Sequence, residues 1–195
     1  MLGFQHKVPR FNGHVSYTAA KATVMVKPKK WQMVMWGLSA AVLALPAIAM
    51  QFSKEIAWGP EDFAVVGALL ALLCLTVELA ARTSSKRYFL AGIALAGIGG
   101  FALIFINLAV GIIGSEEDPR NLVFYAIPAL GFLGALIARF KSTVLVRLLV
   151  IMSAIQLSAA LLAPADMVRI MIPFTGIFVG LWLSSALLIQ RSTRP

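Results

Sequence analysis

The 195-residue chain has one cysteine and two histidines, and only 13% of its residues are charged. The lone Cys74 sits in the apolar run ALLCLTVEL, so neither an intrachain disulfide nor a CxxC redox pair can form. His6 and His14 both precede the first apolar run, and every hydrophobic segment is therefore free of histidine. That excludes bis-histidine haem ligation and a histidine metal site, and with them the HExxH zinc proteases. There is no GxSxG and no serine paired with histidine, nor a P-loop. No polar segment is long enough to house a soluble catalytic domain. Acidic residues number only 8, and those that lie close together fall in polar connections. No catalytic residue, metal site or cofactor is therefore expected.

What the chain does have is hydrocarbon. Apolar residues make up 60% of it, and the mean hydropathy is +0.89. Soluble domains carry about a quarter charged residues. The composition predicts an all-α polytopic membrane protein, and the unbroken apolar runs exclude the alternation of a β-barrel. A crossing takes about 20 apolar residues, and six stretches qualify: 33–50, 63–81, 88–113, 122–138, 143–163 and 170–189. The predicted organisation is a basic tail at 1–30, a six-helix transmembrane bundle at 31–190, and a short basic end at 191–195. A competing reading takes Ala47-Ile48-Ala49 as a signal-peptidase site, although the roughly 30 preceding residues are long for a signal peptide.

Charge then sets an orientation. With the N-terminus in the cytoplasm, only Lys54, Arg120 and Arg169 of the 17 basic residues fall on the outer side. The positive-inside rule therefore places both termini in the cytoplasm. This asymmetry also accounts for the net charge of +9 and the pI near 10.2, so no nucleic-acid partner is implied. The tail KATVMVKPKKW is expected to rest on anionic lipid, at about 1 kcal/mol per basic residue. Trp31, Trp36 and Trp58 suit interfacial anchoring.

Membrane helices associate through small residues. Gly92, Ala96 and Gly100 in the third span, Gly131 and Ala135 in the fourth, and Gly176 and Gly180 in the sixth form such stripes. They predict packing within one bundle, or assembly into a homo-oligomer or a membrane complex. Pro46 and Pro128 echo one another in ALPAIA and AIPALG, but no other similarity extends the echo into an inverted repeat.

Polar residues inside apolar runs are functional candidates. Glu78 stands four residues before Arg82, the favourable order for a helical ion pair. Asn107 is expected to bond to a neighbouring helix, with Gln156 and Ser153 facing it across the bundle. Arg147 is expected to snorkel to headgroups. Between the third and fourth spans, Ser115 to Asn121 reads as a solvated external hairpin carrying Glu116, Glu117, Asp118 and Arg120, with Gly114 and Pro119 breaking the helices. Its carboxylates are hard oxygen ligands, yet the spacing of a calcium loop is missing. Pro60-Glu61-Asp62 reads as a helix start.

The segments ALPAIAMQFSKEIAWGPEDFAVVGALLALLCLTVELAAR and NLAVGIIGSEEDPRNLVFYAIPALGFLGALIARF resemble a family of small bacterial inner-membrane proteins. That family carries AMQFT-x-E-V-x-W…DF, a YELA-R helix end and NLAVGIIGSE-x-NP-x-NL. The likeness covers about residues 43–139 and is most specific from Asn107 to Asn121. Asp118 and Arg120 depart from its loop pattern, and the basic tail is unlike its typical members. The resemblance implies a bacterial source and a fold, and no activity. The expected role is that of a non-enzymatic membrane subunit or scaffold. The alternative is a small-solute or ion transporter with a path through Asn107, Gln156 and Glu78. A third reading, lipid chemistry at Glu116, Glu117 and Asp118, has least behind it.

Overall fold

The structure, a computed structural model, describes residues 30–53 and 57–194. The basic tail, with both histidines, and Lys54 and Glu55 lie outside the described residues. Among those described, every regular element is helical. Six α-helices follow in order: α1 (Lys30–Ala49), α2 (Pro60–Thr83), α3 (Arg87–Val110), α4 (Leu122–Ile137), α5 (Ser142–Ala159) and α6 (Val168–Thr193). Short 3₁₀ turns at Pro119–Asn121, Ala160–Leu162 and Ala165–Met167 join the later ones. All six spans are long and apolar enough to cross a membrane. A helix satisfies its own backbone, which is what apolar runs of this length would require in hydrocarbon.

The boundaries differ from the apolar runs in instructive places. The third helix stops at Val110, three residues before its run ends, because Gly111 takes φ +67 and turns the chain. Ile112 and Ile113 remain buried although they are no longer helical. Gly111, and not Gly114, is therefore the residue that ends α3. The fifth helix gives way at Ala159 to a 3₁₀ turn, and Ala163 is extended ahead of Pro164, as residues before proline tend to be. The sixth runs on to Thr193, where the Ser192 and Thr193 hydroxyls bond back to carbonyls within the last turn. Proline and acids open α2 as expected: the Gly59 N–H donates to Asp62 Oδ2 at 2.8 Å.

Helices α3, α4, α5 and α6 form a closed ring in which each packs on the next and α6 returns to α3. Helix α2 lies outside this ring on α3, and α1 lies outside again on α2. No residue of α1 is buried. An aromatic column from Phe124 through Phe174 and Phe178 to Trp182 fills the ring, with successive centroids 6.3, 4.8 and 6.4 Å apart.

Short connections make consecutive helices antiparallel and sort the charges. One end carries Arg82, Lys86, Arg87, Arg139, Lys141 and Arg191, and there Lys86 Nζ donates to the Ser192 carbonyl at 2.7 Å. The opposite end carries Glu61, Asp62, Glu116, Glu117, Asp118 and Asp166, and there Arg120 Nη1 donates to the Leu162 carbonyl at 3.3 Å. We call these the basic and the acidic ends.

Candidate functional site

The loop at the acidic end is built around Asn121, which is 1% exposed. Its Oδ1 accepts from the N–H groups of Ile112 and Ile113 at 3.2 and 2.8 Å. Its Nδ2 donates to the carbonyls of Ile113 and Ser115 at 3.0 and 2.7 Å. Gly111 allows this inward fold twice over. Its φ is positive, and a Cβ there would lie 2.6 Å from the Glu116 nitrogen. Of the segment read as a solvated hairpin, Ser115, Pro119 and Arg120 are exposed and only Asn121 is buried. Glu116 and Glu117 are exposed. Asp118 accepts from Arg120 Nη2 at 2.6 Å and from the Arg120 backbone N–H at 2.9 Å. These two bonds, the side-chain one first, hold the Asp118 carboxyl down to about 2 from an ordinary 3.8.

Asn107 does reach a neighbour, as expected: its Nδ2 donates to the Asn121 carbonyl at 3.1 Å, where α4 begins. It is not bonded to Gln156 or Ser153. Ser153 returns its hydroxyl to Leu149 in its own helix. Gln156 is fully buried with neither amide atom partnered, and Asn107 Oδ1 and Thr175 Oγ1 are also buried and unpartnered. These three residues sit on α3, α5 and α6, toward the acidic ends of their helices, and we refer to them together as the neutral polar layer. Leaving such groups unpaired is costly in a low-dielectric interior.

Glu78 lies elsewhere. It does not pair with Arg82; its Oε1 accepts from Trp36 Nε1 at 2.8 Å, tying α1 to α2. The indole of α1 outcompetes the guanidinium one turn on. Helix α2 stands outside the ring, so Glu78 is separated from the layer of Asn107 and Gln156. Cys74 accompanies Trp36 in this seam, its Sγ 3.1 Å from Ser39 Oγ. Among the described residues, no three of His, Cys, Asp and Glu come together.

The small residues divide into three classes. Gly92 is an interface: a Cβ there would lie 2.7 Å from Ile189 Cγ1 and 2.9 Å from the Ser185 carbonyl, so α3 touches α6 backbone. Ala96, Gly100, Gly131 and Ala135 line a cavity of about 350 Å³ between α2, α3, α4, α5 and the Trp182 and Ile189 side of α6. Leu72, Ala129 and Leu133 also line it and are exposed, so it opens sideways between α2 and α4. Gly176 and Gly180 face outward with nothing within 4 Å.

Sequence reading missed Asn121, Thr175 and the α1 partner of Glu78. Polarity within the Asn107–Asn121 motif was a usable signal for the first; nothing in the sequence pointed to the other two. Compared with family models, with curated proteins and with solved structures, the chain matches none.

Proposed function

We propose that the protein is a non-catalytic, multi-pass subunit or scaffold of a bacterial inner membrane, packing through the outer face of α6 onto another membrane protein or a second copy. One observation carries this reading. Gly176 and Gly180 are open on the side of α6 that faces away from the ring. Ser184, exposed at the same four-residue spacing, extends the flat track toward the basic end. Ile172 and Ile177 stand beside it, 67% and 62% exposed. In lipid, a small-residue track lets another helix approach closely.

Native mass measurement after detergent extraction tests the reading. The wild-type chain is expected to travel with a second protein or copy, and Gly176→Leu with Gly180→Leu to release it. A solitary monomer in both cases counts against it. The sorted charges favour both termini in the cytoplasm. The family resemblance, which supplies the bacterial assignment, belongs to the same proposal.

A second reading draws on the neutral polar layer. Asn107, Gln156 and Thr175 on three adjacent helices have spare hydrogen-bonding capacity, as the start of a solute path would. Glu78 falls outside that path. Vesicle flux with the purified protein, lost in Asn107→Leu, is the expected result; absence of flux for ions and small polar solutes removes this reading.

A further inference from the structure

We propose that the cavity between α2 and α4 holds one acyl chain of an anionic phospholipid, with its headgroup phosphate at Arg139 and Lys141. The space is large and its walls are almost wholly apolar, although Trp182, one of the lining residues, has a buried Nε1 with no partner. An apolar cavity of roughly 150 Å³ takes a benzene, so about 350 Å³ accommodates on the order of a dozen carbons. The Thr76 hydroxyl on its wall is already committed to the Leu72 carbonyl at 2.6 Å, and asks nothing of a ligand. Left empty, the lining side chains forfeit their dispersion contacts. Because the mouth lies between two apolar helices along their length, a bilayer presents hydrocarbon chains to it.

The basic end names the headgroup. Arg139 and Phe140 both adopt left-handed backbone, at φ 50 and 57. Each such residue costs about 1–2 kcal/mol when it is not glycine. The double turn folds Phe140 inward, where it closes the cavity at 6% exposure. Arg139 and Lys141 are left exposed on either side of it. Neither has an ion-pair partner among the described residues, nor does Arg82 at the end of α2. The one nearby acid, Glu78, is engaged by Trp36. Unneutralised cations therefore crown an acyl-sized slot, which suits a chain tethered to a net negative headgroup.

Trp182 lines the cavity and serves as the reporter. Its signal, taken as the difference between the wild-type chain and Trp182→Phe so that Trp36 stays on Glu78, is read in phosphatidylcholine vesicles. Bromine is carried on the chains of either phosphatidylglycerol or a minor fraction of the phosphatidylcholine. Brominated phosphatidylglycerol is expected to quench at a mole fraction lower by about five-fold per basic residue engaged. Arg139→Gln with Lys141→Gln is expected to erase that preference while retaining quenching. Ala96→Phe, filling the slot, is expected to reduce quenching by both lipids at unchanged helix content. If Ala96→Phe does not fold, the charge variants decide alone. Equal quenching by both lipids at matched mole fractions overturns the proposal, as does an unquenched Trp182. So does quenching that fades as protein density rises, which marks a second copy in the slot.

Discussion

One asparagine side chain supplies the hydrogen bonds that the turn after α3 cannot make with its own backbone. Asn121 satisfies two N–H groups and two carbonyls from residues 112 to 115. Asn121→Ala is expected to lower stability by about 3 kcal/mol or more, since buried backbone groups are left unpaired. A thermal midpoint in detergent equal to that of wild type contradicts this. The tip behaves differently. Asp118 has its pKa depressed in the folded chain, so its pairing with Arg120 contributes fully above about pH 4, weakens below that, and is gone once pH falls through about 2. Titration of the Asp118 carboxyl by NMR is expected to give that low midpoint, rising toward 3.8 in Arg120→Gln. Sequence polarity marked this segment but not its direction, because an irregular turn has no period from which an inward side can be read.

Two stripes that look alike along the chain behave differently as parts of helices. Gly92 and Gly176 each begin a four-residue spacing of small residues, yet one meets backbone and the other meets nothing. Gly92→Ala is expected to cost about 1–3 kcal/mol by overpacking against Ser185 and Ile189. Gly176→Ala and Gly180→Ala are expected to leave the stability of the isolated monomer unchanged, as unfolding by denaturant would show. An equal loss in all three undoes the distinction between the inner and outer tracks. Spacing alone shows which residues share a face; which neighbour that face meets is settled only by the order of packing. On α6 the inward face is the one bearing Thr175, Phe178, Trp182 and Ile189. The same limit applies to Glu78. Its i+4 arginine was visible in sequence, but its Trp36 partner lies 42 residues away.

At the scale of the whole molecule, hydropathy was sufficient for six spans, since twenty apolar residues in oil have one stable backbone arrangement. It was insufficient for the ring of α3 to α6, because every helix is apolar on most sides and the seam carries little extra hydrophobicity. The proposed orientation is open to a direct check. With Cys74→Ser as background, Glu117→Cys is expected to react with an impermeant thiol reagent added outside intact cells. Reaction only after permeabilisation reverses the assignment. The closeness of α3 to α6 bears on biosynthesis. Gly92 finds the surface it fits only when the last helix has left the ribosome, so on the proposed insertion α3 waits in the bilayer while two further spans are made. A nascent chain stalled before residue 168 would carry an open seam, and should be short-lived wherever membrane proteases patrol.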